Sequence, residues 1–135
     1  MDLEKNLFIA AAGMKAQGER LRVIAENLAN KDSAPKKAGE DPYRRKIVTF
    51  KNVLNRELGA DTVKVDRVRT DDSDLPLKYD PTNPAADANG YVKMPNVNTL
   101  VELMDMREAQ RSYEANLNMI EVSKSMLTRT LDLLR

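Results

Sequence analysis

The stretch LEKNLFIAAAGMKAQGERLRVIAENL, residues 3–28, decides the fold because its apolar side chains repeat at the spacing of a coiled-coil heptad. Positions that recur in alternating steps of four and three lie along one face of a helix, and this face is called the N-terminal seam. It consists of Leu3, Leu7, Ala10, Met14, Gln17, Leu21, Ile24 and Leu28. Gln17 is its only polar member, so the pattern predicts a long amphipathic helix.

A second seam with the same spacing lies near the other end of the chain. This C-terminal seam consists of Leu103, Met106, Gln110, Tyr113, Leu117, Ile120, Lys124, Leu127, Leu131 and Leu134. Two long seams on either side of a short middle segment predict helices that pack together or against other subunits. This arrangement is typical of an assembly component rather than of an enzyme.

Polar residues interrupt the seams at Gln17, Gln110 and Lys124. They lie at edges where the apolar stripe meets solvent, or they fix the helix register or the choice of partner at a cost in stability. The spacing alone leaves both interpretations open.

Capping signals divide the chain into an N-terminal helix (residues 1–30), a loop and small β-rich segment (31–98) and a C-terminal helix (99–135). Asp2 is a good N-cap, and Asn30 with the polar residues that follow it ends the first helix. The second helix opens with TLVE, residues 99–102, which fits a capping box.

The middle segment has the composition of short strands and turns. Residues 43–50 (YRRKIVTF) and 62–70 (TVKVDRVRT) are β-branched and aromatic, which predicts two strands. Residues 51–58 (KNVLNREL) fit either a strand or a short helix. Asn89-Gly90, followed by Tyr91, predicts a tight hairpin turn.

Composition excludes most kinds of functional site. The chain has 22 basic and 21 acidic residues, so it has no strong net field to attract nucleic acid or an anionic membrane. Without cysteine or histidine it has no thiol or imidazole nucleophile, no common zinc site and no Ser-His-Asp triad. We therefore expect no catalytic residue, no cofactor and no metal.

The sequence contains no segment typical of membrane insertion. No stretch approaches the roughly 20 apolar residues of a spanning helix. LFIAAAG, residues 7–13, is short and follows the acidic Asp2 and Glu4, which argues against a cleaved signal peptide. The basic run Arg44-Arg45-Lys46 has acidic neighbours, so we interpret it as a solvated or subunit-facing surface.

Three separated motifs are similar to the flagellar rod and hook protein family. NLAN is formed by Asn27, Leu28, Ala29 and Asn30; GYV-x-x-PNV contains Gly90, Tyr91, Val92, Pro95, Asn96 and Val97. The third motif is RSYEAN, residues 111–116, followed by KSM at residues 124–126. Their order and the short middle segment resemble the proximal-rod members of this family.

The resemblance implies an antiparallel coiled coil of the two terminal helices, which lines the inside of a tubular rod with the β-rich segment outside it. It implies self-association in a helical tube, contacts with other rod subunits and basal-body proteins, and export by the flagellar type III apparatus without signal cleavage. The expected location is the basal body, where the rod crosses the periplasm and transmits motor torque to the hook.

A second function class fits the same seams. A soluble coiled-coil adaptor or chaperone would use them to hold a partner helix, and it would form a discrete dimer or trimer in the cytoplasm. Loss of motility and of complete rods after gene deletion distinguishes the rod subunit from this alternative.

Overall fold

The computed structural model describes residues 3–135, which form an α+β fold of two long helices and two small antiparallel sheets. The elements are α1 (Leu3–Ala29), β1 (Lys46–Asn55), β2 (Ala60–Thr70), β3 (Leu77–Tyr79), β4 (Tyr91–Lys93) and α2 (Thr99–Leu133). The predicted α+β class, with a long helix near each end, is confirmed.

Polar side chains end α1. Asn30 Nδ2 donates to the backbone oxygen of Glu26 at 2.9 Å, and the Ser33 hydroxyl donates to Asn30 Oδ1 at 3.1 Å. The Glu26 oxygen also accepts the Asn30 backbone N–H at 3.1 Å, so the Asn30 side chain adds a second bond to this carbonyl at the end of the helix. The predicted N-cap Asp2 lies outside the described residues.

The N-cap of α2 is Asn98 rather than Thr99. Asn98 Oδ1 accepts hydrogen bonds from the backbone N–H groups of Leu100 at 3.0 Å and Val101 at 3.4 Å, which is typical of an N-cap. The predicted capping box is wrong, because the carboxylate of Glu102 is buried and binds other side chains.

β1 and β2 form a hairpin. It includes part of residues 51–58, whose sequence fits either a strand or a short helix. β1 begins at Lys46, later than predicted, and continues to Asn55. Asn55 Oδ1 accepts the backbone N–H of Glu57 at 3.1 Å, and Gly59 N–H donates to the Asn55 backbone oxygen at 2.8 Å. The residues after position 55 therefore form the turn, since the asparagine side chain stabilises it.

β3 and β4 pair antiparallel, with Tyr79 opposite Tyr91. The predicted tight turn at Asn89-Gly90 is present, because the Gly90 N–H donates to the Asp87 backbone oxygen at 3.0 Å. It does not directly join the paired strands, since residues 80–90 all lie between them. Gly90 instead closes this longer connection at φ +84°, where a Cβ would lie 2.9 Å from the Tyr79 ring. Only glycine avoids both the backbone strain and the clash.

The chain forms two units, and each unit contains parts of both helices. The first unit comprises residues 3–21, Thr49–Arg67 and Met106–Arg135. Within it, Gly13 lies against the side chain of Asn116 and Arg20 pairs with Glu108 at 3.6 Å, so the helix segments run in opposite directions. Its buried helix residues are small: Ala10, Ala16, Ala109 and Ser123.

The second unit comprises Arg22–Val48 and Val68–Asp105. Its buried apolar residues are Val23, Ile24, Ala85 and Val92. Asn27 and Glu102 are each 1% exposed within this apolar core. Buried polar groups are costly unless they are hydrogen-bonded, so their partners determine how this unit is built.

Alanine substitutions at Gly13 and Gly18 should have different effects on stability. Gly18 has open space around it, so alanine should raise the free energy of unfolding by about 0.5–1 kcal/mol. At Gly13 a Cβ would lie 2.7 Å from Asn116 Nδ2, which donates to the Ser112 backbone oxygen. We expect no gain there, because Asn116 must move and weaken that bond.

Urea unfolding followed by circular dichroism measures both variants. The double substitution Gly13→Ala with Asn116→Ala should recover the gain seen at Gly18, because it removes the obstructing amide. Equal stabilisation by the two single substitutions would contradict the close approach of the helices at Gly13.

Candidate functional site

Asn27 lies at the centre of a polar cluster in the second unit. Its Nδ2 donates to the Lys46 backbone oxygen at 2.9 Å and to Glu102 Oε2 at 3.2 Å. Its Oδ1 accepts the Tyr43 hydroxyl at 2.7 Å and the Lys46 backbone N–H at 2.9 Å. A side-chain amide offers two donor hydrogens and two acceptor lone pairs, so every hydrogen-bonding position of Asn27 is used.

Arg45 joins the same cluster to three carboxylates, two of which are on α2. Its Nε donates to Glu102 Oε1, its Nη2 donates to Asp105 Oδ2 at 3.3 Å, and its Nη1 lies 3.7 Å from Asp71 Oδ2. Glu102 is 1% exposed, so its charge depends on this guanidinium and on Asn27 for compensation.

Asn96 also binds the backbone at Arg45. Its Oδ1 accepts the Arg45 backbone N–H at 2.7 Å, and its Nδ2 donates to the Asp71 backbone oxygen and to the Ser73 hydroxyl, each at 3.0 Å. The Asp71 backbone N–H donates in return to the Arg45 oxygen at 2.8 Å. The two asparagines therefore fix residues 43–46 through backbone and side-chain bonds.

The pKa values reflect this burial and charge pairing. Burial raises the pKa of the Tyr43 hydroxyl to about 12, and the negative charges of Glu26 and Glu102 act in the same direction. Burial opposes the positive charge of Arg45, but its hydrogen bond to Glu102 and the neighbouring carboxylates raise its pKa overall. Tyr43 therefore remains a neutral donor to Asn27 at physiological pH.

The basic run Arg44-Arg45-Lys46 is paired within the chain, so the prediction of a solvated or subunit-facing surface is wrong for Arg45, whose guanidinium binds the buried Glu102. The Lys46 ammonium pairs with Glu26 and lies 6.0 Å from the centroid of the Tyr43 ring. The hydrogen bond from Lys46 lowers the pKa of Glu26. Arg44 forms a more exposed pair, its Nη2 lying 3.5 Å from Asp41.

The remaining motif residues support the local backbone. Val92 and Pro95 are buried, and Tyr91 packs edge to face on Tyr79 with the ring centroids 5.3 Å apart. Within the first motif, Leu28 and Asn30 are half-buried and Ala29 is exposed; Gly90 is buried and Val97 is half-buried. Asn27 and Asn96 are thus the two motif residues that the fold brings to one cluster.

The structure places the residues of the two predicted seams in different environments. On α1, Ile24 and Ala10 are buried, whereas the half-buried members are Leu3, Leu7, Met14, Gln17, Leu21 and Leu28. On α2, the half-buried members are Met106, Tyr113 and Ile120, and the exposed members are Leu103, Gln110, Leu117, Lys124, Leu127 and Leu131. Leu134, which follows α2, is also exposed.

The buried positions of α2 precede several predicted seam positions by one residue. They are Glu102, Ala109 and Ser123, which come directly before Leu103, Gln110 and Lys124. Small side chains allow two helices to approach closely, because the distance between packed helices depends on the side chains at the contact. A stripe of large apolar residues therefore does not identify this contact face.

The polar seam members also differ in environment. Gln110 and Lys124 are exposed, which agrees with the interpretation that they lie where the stripe meets solvent. Gln17 is half-buried, and its Oε1 is buried without a hydrogen-bond partner among residues 3–135.

Large apolar side chains cover the outer surface of the helices. Those on α2 that are exposed are Leu100, Val101, Leu103, Met104, Leu117, Met119, Val122, Met126, Leu127, Leu131 and Leu133. Phe8 and Ile9 on α1 are also exposed. Exposed apolar surface of this extent indicates sites of contact with other proteins.

Residues 3–135 contain no group of acidic side chains arranged to hold a metal ion. Neither α1 nor α2, as described, has an apolar stretch long enough to span a membrane.

Sequence reasoning missed Arg45 and Glu102, which it assigned to a surface and to a helix cap. Glu102 lies seven residues before Ala109 and hence on the same helix face, but the sequence does not indicate that this face is buried. Its partner could not be identified, because Arg45 is distant in sequence and lies in a run of three basic residues.

Comparison with known proteins gives consistent matches over nearly the whole chain. The profile of the family described as "Flagellar basal body rod FlgEFG protein C-terminal" matches residues 88–133. The chain is 50% identical to the flagellar basal-body rod protein FlgC of Agrobacterium fabrum over 127 residues, covering 94% of this chain and 91% of the relative.

FlgC proteins of two other organisms are also similar to this chain. Over 129 residues the chain is 44% identical to the FlgC protein of Salmonella typhimurium, covering 95% of this chain and 96% of the relative. Over 143 residues it is 40% identical to the FlgC protein of Bacillus subtilis, covering 95% of each.

Replacing Arg45 should destabilise the fold far more than replacing its neighbour Arg44. Arg45→Met leaves the buried Glu102 carboxylate without its guanidinium, so we expect the free energy of unfolding to fall by about 3 kcal/mol or more. Arg44→Met removes a pair with the exposed Asp41 and should cost at most about 1 kcal/mol.

Urea unfolding of the two variants makes the comparison. Arg45→Met combined with Glu102→Met should recover most of the lost stability, because no uncompensated charge remains in the core. If Arg45→Met is as stable as Arg44→Met, the cluster does not stabilise this unit.

Proposed function

The chain belongs to the FlgC family of flagellar basal-body rod proteins, and from this we propose that it is a proximal-rod subunit that self-assembles through its terminal helices into the tubular drive shaft. It is a structural, non-enzymatic flagellar rod protein, located in the basal body and associated with other rod components. In the proposal, the assembled tube transmits torque from the motor to the hook.

The observation that carries the proposal is the exposed apolar surface of α2. Leu117, Met119, Val122 and Met126 project from the surface of the first unit, although each would be more stable away from water. Burial of such a side chain stabilises by about 1.5–3 kcal/mol. Neighbouring subunits in a tube bury these faces repeatedly, so many small gains add along the rod.

We also propose that α1 and α2 form an antiparallel coiled coil within the subunit. The opposite helix directions in the first unit and the seven-residue interval between the buried Glu102 and Ala109 support this geometry. Methionines among the exposed residues suit a surface that packs against non-identical neighbours, since this side chain adapts its shape.

The alternative of a cytoplasmic adaptor or chaperone is not favoured. The chain and its rod-protein relatives align over more than nine-tenths of their lengths. A coiled-coil pattern shared with an adaptor would require only the helices to align, whereas here the middle segment aligns as well.

Leu117→Asp should abolish motility, whereas Lys37→Glu should have little effect. Leu117 is 39% exposed, so aspartate there places a charge in a proposed subunit contact while the chain still folds. Lys37 lies on an exposed loop, where an ion pair contributes about 0–1 kcal/mol. Swarming and electron microscopy of basal bodies measure the outcome, with immunoblots to show that each variant is made.

The gene deletion and Leu21→Asp extend this experiment. The deletion should remove complete rods, and complete rods in deleted cells would overturn the proposed function. Leu21→Asp should also abolish motility, but Leu21 is half-buried, so Leu117 gives the cleaner test of subunit contact. Loss of motility with Lys37→Glu but not with Leu117→Asp would instead assign the essential contact to the loop.

We further propose that the flagellar type III apparatus exports the chain without removing a signal peptide. In this case the protein from isolated basal bodies should retain the sequence that begins near Asp2, as measured by mass spectrometry. A new N-terminus near Gly13 would contradict the proposal, because it would indicate conventional signal cleavage after the apolar run.

A further inference from the structure

Asn89 and Gly90 form the one Asn-Gly pair in the sequence, and they lie in the connection between β3 and β4. In such a pair the backbone nitrogen of the glycine attacks the side-chain amide carbon of the asparagine with little hindrance, because glycine has no Cβ. The other asparagines are followed by proline or by residues with larger side chains, which hinder this attack. The sequence therefore identifies Asn89 as the asparagine that is chemically most susceptible to deamidation.

The reaction replaces the side-chain amide of Asn89 and needs no cofactor. The Gly90 nitrogen loses its proton and bonds to Cγ of Asn89, the bond between Cγ and Nδ2 breaks, and ammonia leaves a cyclic succinimide. Water then opens the ring at either carbonyl. One opening gives aspartate, and the other gives isoaspartate, in which the main chain runs through Cβ and Cγ of residue 89. Water is the only co-reactant, and no electrons are transferred.

The folded connection holds the attacking nitrogen in a hydrogen bond. The Gly90 N–H donates to the Asp87 backbone oxygen at 3.0 Å, and Gly90 is buried although Asn89 is exposed. Loss of the proton breaks this bond, and burial limits the access of a base from solvent. The Gly90 nitrogen therefore reacts only when this turn opens locally.

The carboxylate of Asp87 also fixes the backbone on both sides of Gly90. Its Oδ1 accepts the backbone N–H groups of Asn89 and Tyr91, each at 2.9 Å. The backbone oxygen of Gly90 accepts the Asp80 N–H at 2.9 Å. Closing the succinimide requires rotation about the bond between Cα and the carbonyl carbon of Asn89, and these hydrogen bonds restrict that rotation.

We propose that Asn89 is a deamidation site of the unfolded chain and that the turn built on Asp87 protects it once the β3–β4 connection has folded. The inference does not depend on the proposed function, because the reaction needs only water and this pair of residues. Chains that remain unfolded are modified, whereas folded subunits keep the asparagine.

Isoaspartate at position 89 does not fit the folded connection. It adds one atom to the backbone directly before Gly90, where a Cβ would lie only 2.9 Å from the Tyr79 ring and 3.2 Å from Pro81. The longer backbone must displace Gly90 and weaken the bond between its oxygen and the Asp80 N–H. Modification before folding therefore weakens the pairing of β3 with β4.

Mass spectrometry of the full chain measures the modification, because replacing the amide NH₂ group by OH changes the mass. The purified chain is incubated with and without guanidinium chloride, and circular dichroism verifies that the first sample is unfolded and the second is folded. The peptide that contains residue 89 should deamidate at least about tenfold faster in the unfolded chain, since the folded chain reacts only through local opening. Asn89→Ser should abolish this change in mass.

Equal rates in the two samples, or no deamidation of residue 89 in guanidinium chloride, would overturn the proposal.

An alanine substitution at Asp87 tests the protecting turn, with Asp80→Ala as the matched control. Asp80 lies in the same connection, but its Oδ1 accepts the Thr82 hydroxyl at 2.8 Å. Asp87→Ala should raise the rate in the folded chain about tenfold, and Asp80→Ala should leave it close to that of the unmodified chain. In guanidinium chloride all three chains should deamidate at similar rates. If Asp87→Ala accelerates the unfolded chain as much as the folded one, or accelerates neither, the turn does not protect Asn89.

Thermal melting tests the predicted misfit of isoaspartate. The isoaspartate form, separated by chromatography and refolded, should melt at a lower temperature than the unmodified chain. Asn89→Asp carries the same new charge on an ordinary backbone at an exposed position, so it should melt close to the unmodified chain. Equal melting temperatures of the isoaspartate form and Asn89→Asp would show that the connection accommodates the longer backbone, and the misfit would be refuted.

Discussion

The buried carboxylate of Glu102 is the constraint on which the second unit depends. A charge that is 1% exposed must be compensated, and Arg45 with Asn27 provides the compensation. Because Asn27 belongs to α1, Glu102 belongs to α2 and Arg45 lies just before β1, their bonds join three parts of the chain at one point. An apolar core tolerates small shifts between its elements, whereas these directed hydrogen bonds fix the register of this unit.

This constraint explains why two short asparagine-containing motifs accompany long helices. Asn27 and Asn96 each use both the donor and the acceptor group of the side-chain amide, and each binds the segment around Arg45 through at least one of them, so neither aspartate nor leucine reproduces their bonds. The motifs are therefore primarily structural within the subunit.

The sequence was sufficient to predict the α+β class and both helices, because their heptad spacing extends over many turns and does not depend on distant residues. It was not sufficient to predict which face is buried within the chain. Ala109 and Ser123 are buried, whereas Leu117 is exposed, because close helix packing favours small side chains. The cluster around Arg45 was not predictable, since its partners come from distant positions and a one-dimensional pattern does not contain those distances.

The separation between small buried residues and large exposed ones has a physical consequence for assembly. If the large side chains packed within the subunit, a stable monomer would retain little apolar surface for its neighbours. Instead, Gly13 lets α1 approach Asn116 of α2 closely and Ala109 is fully buried, and side chains such as Leu117 and Leu131 remain on the outside. In the proposed tube, each subunit keeps part of its hydrophobic free energy unused until it joins others, and stability grows with assembly by mass action.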